Sequence, residues 1–232
     1  MREIVFDTET TGLDPKTGDR MVEIGCIELI NRVPSGETFH AYFNPERDMP
    51  SAAEAVHGLS ASFLSDKPLF AELAADLLAF LGDAPLVAHN ASFDFGFLNC
   101  ELESIQMEPI SLDRMVDTVA LARKRHPGAK LSLDALCTRY GIDRSHRVKH
   151  GALLDAELLA QVYVELTGGR QIGLELAAEV SVADPRQDGS KENILQRATG
   201  ERREPRPHSA TENELVRHKV FVGTIEAAVW TK

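Results

Sequence analysis

Ile4-Val5-Phe6-Asp7-Thr8-Glu9-Thr10-Thr11-Gly12 runs an uninterrupted apolar segment straight into two carboxylates. A strand that reads as continuous Ile/Val/Phe is one covered on both faces. Side chains alternate along an extended chain, so Asp7 and Glu9, two positions apart, project to the same side. Neighbouring anions at the end of a buried strand are costly unless a positive group lies between them. Two readings are open for the pair: a divalent cation site, or the polar start of a turn that faces water.

A hard cation needs several oxygen ligands, and two more carboxylates interrupt apolar patterns further along. The spacing predicts a helix over Phe93 to Ile105, whose sheet-facing row is Asp94, Leu98, Glu101/Leu102 and Ile105. It predicts another over Ala152 to Thr167, where Asp155 leads Leu159, Val162 and Leu166. Each helix aims an acid where a core residue belongs. A first-turn acid suits the helix dipole, so helix capping is the alternative for Asp94. His150 falls in the loop before Gly151, free to reach over the same place. Asp117 reads as a helix N-cap and is assigned a structural role. The basic cluster Arg144, His146, Arg147 and Lys149 fits either contact with a phosphate backbone or a solvated loop.

The rest of the chain frames these groups. Three strand-like segments come first, around Ile4, over Met21 to Ile30 and over Thr38 to Phe43, with Asn31 to Gly36 as the connecting loop. They form an expected antiparallel meander. Helix and strand then alternate: a helix over Phe70 to Leu81, a strand over Leu86 to Ala88, a strand running into a helix over Met115 to Arg125, and a helix over Leu133 to Tyr140 opened by Ser132. Gly168-Gly169 ends the last helix. This order predicts an α/β mixed sheet, meander plus parallel strands, flanked by helices.

Three cysteines, Cys26, Cys100 and Cys137, lie in apolar segments without metal-ligand spacing and read as reduced core thiols. No charged-then-apolar leader precedes the first strand, and no apolar run approaches the ~18 residues of a membrane span. The expectation is a soluble, cytoplasmic protein with no membrane partner. Its net charge is -11, and residues 1 to 176 carry all of it, with 27 acids against 16 bases. Nonspecific affinity for nucleic acid comes mainly from clustered Lys and Arg, so a free-standing nucleic-acid binder is disfavoured. From about Ala178 the composition turns polar and Pro/Gly-rich, which predicts a mobile linker. Thr211-Glu212-Asn213-Glu214 is a capping-box pattern opening a short helix through Lys219.

Asp7-Thr8-Glu9-Thr10-Thr11-Gly12, His89-Asn90-Ala91-Ser92-Phe93-Asp94 and His150-Gly151-Ala152-Leu153-Leu154-Asp155 together resemble the three motifs of the DEDD exonuclease superfamily, in its histidine variant. The likeness covers about residues 1 to 170 and includes Leu131-Ser132-Leu133-Asp134-Ala135-Leu136 and Val56-His57-Gly58. It implies a ribonuclease H-like fold. It also implies that Asp7, Glu9, Asp94 and Asp155 hold two Mg²⁺ or Mn²⁺, with Asp7 bridging, and that His150 is the general base. His57, Thr8, Thr10 and Phe93, with Asp7, Glu9 and Asp155, would meet the terminal nucleotide of the substrate.

Within the superfamily the chain is most similar to the proofreading exonucleases of bacterial replicative polymerases. That resemblance implies hydrolysis of frayed, mispaired DNA 3' ends to nucleoside monophosphates. Gln171-Ile172-Gly173-Leu174-Glu175-Leu176 resembles a sliding-clamp motif in which Gln171, Leu174 and Leu176 enter the clamp; leucine replaces the usual terminal aromatic, which implies weak binding. Residues 211–232 resemble a tail that grips the polymerase catalytic subunit, with Phe221 and Trp230 as anchors. The implied organisation is an exonuclease domain over 1–170, a clamp motif over 171–176, a linker over 177–210 and a polymerase-binding tail over 211–232. Whether a further small subunit binds is open. The motifs do not distinguish the sugar, so an RNA-trimming relative is the alternative enzyme and a structural bridge between polymerase and clamp the alternative without catalysis.

Overall fold

The computed structural model describes residues 1–145, 147, 149–169 and 210–225. Gln171, Leu174, Leu176, Trp230, His146 and most of the linker fall outside the described residues. Residues 1–169 lie in one compact unit and 210–225 in another.

The first unit is built on a five-stranded sheet of order β3-β2-β1-β4-β5. β1 (Arg2–Thr10), β2 (Met21–Ile30) and β3 (Val33–Tyr42) form the antiparallel meander. β4 (Leu86–Ala88) and β5 (Met115–Asp117) add parallel to β1. Between and after them come α1 (Ser51–His57), α2 (Ala61–Leu64), α3 (Phe70–Leu81), α4 (Ser92–Ser104), α5 (Thr118–Arg125), α6 (Leu133–Tyr140) and α7 (Ala152–Leu166).

Alternation along β1 decides which helix meets which residue. Ile4 and Phe6 pack with Ala74 and Leu77 of α3 and with Leu98 and Leu102 of α4. Val5 faces the other way, onto Ala156, Leu159 and Tyr163 of α7. The sheet is therefore covered on both faces, as its apolar first strand requires. A third cluster, including Ala122, Leu136, Leu158 and Val162, binds α5 and α6 to the outside of α7.

One local expectation is corrected. The β2–β3 connection is shorter than Asn31 to Gly36: Asn31 and Arg32, with φ of 52° and 65°, make a two-residue turn, and Ile30 pairs directly with Val33. Paired left-handed residues match the twist of a tight hairpin, and Val33–Gly36 continue as an exposed edge strand without an apolar alternation to reveal it. His57 closes α1, whose alanines favour helix although its exposed faces carry no apolar row. Cys26 and Cys137 are buried as expected, whereas Cys100 is only partly so. Glu101 keeps its place in the buried row of α4 because Arg20 forks onto it, Nε to Oε1 and Nη2 to Oε2, both at 2.8 Å.

In the second unit, α8 (Glu212–Val222) opens with the capping box, Thr211 Oγ1 accepting from Glu214 N while Thr211 N donates to Glu214 Oε2. Leu215, Val216, Val220 and Phe221 are exposed along it. No helix among the described residues is long and apolar enough to cross a membrane.

Candidate active site

Asp7 and Glu9 continue the α7-facing row of β1 past Val5, and Thr8 between them faces α4. Ligands of open α/β sheets collect beyond the carboxyl ends of parallel strands, and β1 and β4 both end here. At the end of β4 the chain turns through Asn90, whose φ is 64°. Asp117 Oδ1 accepts from the amides of Asn90 at 3.0 Å, Ala91 at 3.4 Å and Val119 at 3.0 Å. Asp117 is thus the structural N-cap expected, and it also pins the corner from which α4 starts. Asp94, buried in the first turn of α4, accepts at Oδ1 from Thr8 Oγ1 at 2.8 Å.

α7 brings the fourth acid by an unusually close approach. Gly25 lies opposite Asp7 in the ladder, and a Cβ at Gly25 would stand 2.3 Å from the backbone of Leu153. The missing side chain lets the first turn of α7 rest directly on β2, which buries Asp155 beside the ends of β1. The 141–151 loop then carries His150 to the rim, its side chain 49% exposed, with Nδ1 3.2 Å from Asp155 Oδ2. The same loop packs on the end of α1: His150 N donates to Val56 O at 3.4 Å, and the Lys149 side chain lies against Gly58.

The result is a cavity of about 270 Å³ lined by Asp7, Thr8, Glu9, Phe93, Asp94, His150 and Asp155, all singled out from the sequence. Thr10 and His57 do not line it. Thr10 Oγ1 donates to Gly12 O at 2.6 Å and shapes the turn after β1. His57 is buried, with Nδ1 accepting from Leu59 N at 3.0 Å, and its Nε2 is a buried side-chain nitrogen without a hydrogen-bond partner among the described residues.

Sequence reasoning missed several lining groups: His89, Asn90, Ser132, Leu133, Asp134 and above all Arg147. The basic cluster signalled Arg147 but pointed it at solvent or phosphate. It instead turns inward, Nε and Nη2 donating to Asp155 at 2.5 and 2.7 Å. Gly25 had no signal beyond being a glycine inside a strand, which marks a close backbone approach.

Asp7, Glu9 and Asp94 are held against their usual ionisation. Burial, then the charges of Asp94, Glu9 and Asp155, push Asp7 well above the ordinary carboxylate range, with Arg147 opposing. Burial, then Asp155 and Glu23, raise Glu9 to about 8. Burial raises Asp94 to about 7 against the hydrogen bond from Thr8. A crowded, desolvated set of oxygen donors of this kind is suited to hard divalent cations. Ligand atoms of Glu9, His150 and Asp155 come within 4.8 Å of one another, close enough to share an ion.

Comparison with known proteins places the chain in a family. Residues 4–163 match the Exonuclease family model. The chain is 46% identical over 228 residues to "DNA polymerase III subunit epsilon" of Rickettsia felis, covering 97% of each. It is 39% identical over 232 residues to the protein of that name in Escherichia coli K12, covering 97% of this chain and 93% of that one. Among solved structures, "Exonuclease X in complex with 5' overhanging duplex DNA" superposes with a TM-score of 0.55 at 26% identity, over 71% of this chain and 90% of that chain.

Proposed function

The chain belongs to the exonuclease family, in the group of DNA polymerase III epsilon subunits, and from that premise we propose how its residues work. It is a 3'-to-5' exonuclease that removes mispaired 3'-terminal nucleotides from DNA as the proofreading subunit of DNA polymerase III. Asp7, Glu9, Asp94 and Asp155 are the residues that would hold two Mg²⁺ or Mn²⁺. Bound there, the ions supply Lewis acidity and offset the charge of the scissile phosphate.

The protein's own groups orient and move the proton. His150, at the rim beside Asp155, takes the proton of the attacking water; imidazole is the side chain suited to that exchange near neutral pH. Thr8 fixes the rotamer of Asp94 through its 2.8 Å hydrogen bond. Phe93 offers a ring at the cavity on which a terminal base can stack. We also assign His57, with Thr8 and Thr10, to the terminal nucleotide, although His57 lies outside the cavity and its buried Nε2 would have to be uncovered when that nucleotide binds. The product is a nucleoside monophosphate. Mispaired ends are preferred because extruding a strand end costs least where pairing is already lost.

Proofreading within the polymerase also answers the charge of -11. We assign residues 211–232, with Phe221 and Trp230 as anchors, to the polymerase catalytic subunit, and Gln171, Leu174 and Leu176 to weak contact with the sliding clamp. A linker over 177–210 then keeps the exonuclease domain, 1–170, at high local concentration beside the primer end in the bacterial cytoplasm.

The observation that carries this reading is the convergence of four acids and His150 on one cavity. The test is a 5'-labelled primer with a matched or mispaired 3' end, with Mg²⁺ or chelator, beside an oligoribonucleotide of the same sequence. Metal-dependent shortening, faster at the mispair, is expected of the wild type and absent from Asp7→Ala, whose fold is retained. Shortening by Asp7→Ala at the wild-type rate would refute the site, and faster trimming of the ribonucleotide would refute the substrate.

A further inference from the structure

Arg147 is a charged group in the cavity to which the four-carboxylate reading gives no role. Its side chain is only 10% exposed. Nε and Nη2 fork onto the two oxygens of Asp155, Nη1 donates to Asp134 Oδ1 at 2.8 Å, and Nη2 stands 2.8 Å from His150 Nδ1 and 3.4 Å from its Nε2. A guanidinium has five donors, no acceptor, and stays charged. Its Nη2, in reach of both ring nitrogens at once, lies over the face of the His150 imidazole and not along the in-plane lone pair of either. The forked contact occupies the lone pairs that Asp155 turns into the cavity.

Those lone pairs have another claimant, since a divalent cation on Asp155 needs them. The same guanidinium also covers the imidazole, because Asp155 Oδ2 and His150 Nδ1 are only 3.2 Å apart. Asp134 lies beside them at the start of α6, with its side chain 48% exposed and also paired to Arg144 at 2.9 Å. It gives Arg147 an anchor that does not depend on Asp155.

We propose that Arg147 is a positioning residue acting as the resident counter-ion of the site: its guanidinium and a divalent cation exclude one another on Asp155, and its withdrawal onto Asp134 uncovers the His150 ring. The proposal rests on the cation-holding reading of the four carboxylates. Its consequence is an order of events, since the imidazole is uncovered only once a cation has taken Asp155.

Mn²⁺ binding to the full chain tests this, with free ion counted by electron paramagnetic resonance for wild type, Arg147→Gln and Arg147→Lys. Removing a competing charge from contact with a ligand should tighten Mn²⁺ binding by about tenfold in the Gln variant. The same variant should melt below wild type in chelator, with the gap closing at saturating Mn²⁺. Lysine keeps the charge but cannot fork onto two oxygens, so its affinity should fall between the two. Unchanged or weaker Mn²⁺ binding by Arg147→Gln would overturn the proposal and make Arg147 a permanent brace of Asp155. Should that variant not fold, Arg147→Lys decides: tighter binding than wild type supports the proposal, equal or weaker binding overturns it. Failure of the wild type itself to bind Mn²⁺ would sink the carboxylate reading, an outcome separate from the others.

Discussion

Gly25→Ala adds one methyl group, and its effect can be worked from the structure. The new Cβ would lie 2.3 Å from Leu153 N and Cα and 2.5 Å from the Ala152 carbonyl carbon. Carbon atoms in contact settle at about 3.5–4.0 Å, so one backbone must retreat by roughly 1 Å or more. β2 is held on both sides, with Gly25 paired to Asp7 and to His40. α7 therefore yields, taking with it Asp155, two residues after Leu153, and His150, three before. Overpacking of this kind costs about 1–3 kcal/mol, a fall in Tm of about 2–4 °C for each kcal/mol in a domain of this size. The activity loss should be disproportionate, because misplacing reacting groups by about 1 Å can cost on the order of 100-fold. The assay is kcat on a 5'-labelled single strand at saturating Mn²⁺, beside thermal melting. Gly36→Ala is the control: its φ of 98° disfavours a side chain, but nothing lies within 4 Å of the added atom. It should lose about 1–2 kcal/mol and keep its rate. Wild-type kcat in Gly25→Ala would refute the claim that this close approach positions the site, as would an equal loss of rate in the control.

Three further outcomes are expected. Glu9 near 8, Asp94 near 7 and Asp7, raised well above the ordinary carboxylate range, bind protons in the folded protein at pH values where the unfolded chain has released them. Stability therefore falls as pH rises: the cost is absent below about pH 4, where both states are protonated, and complete above the folded values. In chelator, Tm should drop from pH 5 to pH 8.5 and Mn²⁺ should restore more at the upper end; a drop just as large in a Glu9→Gln, Asp94→Asn double variant would refute that cause. Arg20→Ala strips a buried carboxylate, Glu101, of its forked partner and should cost about 3 kcal/mol, the low end for a buried pair because Arg20 is one-third exposed; urea unfolding at an unchanged midpoint would contradict it. Deleting residues 207–232 should abolish retention on the polymerase catalytic subunit and leave hydrolysis of single strands intact, so retention by the truncated chain would overturn the tail assignment.

What the sequence made legible follows from where its periodicities are strong. β2, α3, β4 and α6 carry regular apolar rows, and their observed limits are Met21–Ile30, Phe70–Leu81, Leu86–Ala88 and Leu133–Tyr140, as read from the pattern. The four acids were legible for the converse reason, since each breaks such a row. α1 and the outer half of β3 were not, because exposed segments bury no face and leave no period. Arg147 and Gly25 escaped for a different reason. A guanidinium that turns inward and a glycine that admits a helix both depend on α7, an element more than a hundred residues from Gly25, and no local pattern encodes that meeting.

The placement of the site has one structural cause. Alternation along β1 sends Val5, Asp7 and Glu9 towards α7, and Phe6 and Thr8 towards α3 and α4. One strand end thus addresses two helices on opposite faces of the sheet, and each helix answers with an acid from its first turn. A slip of one residue in the pairing of β1 would exchange the two sets, putting Thr8 before α7 and both carboxylates before Asp94. It would also turn Val5 away from Leu159 and Tyr163. The pairing that packs the core is therefore the pairing that gathers the four acids, and the site cannot be lost by register shift while the fold survives.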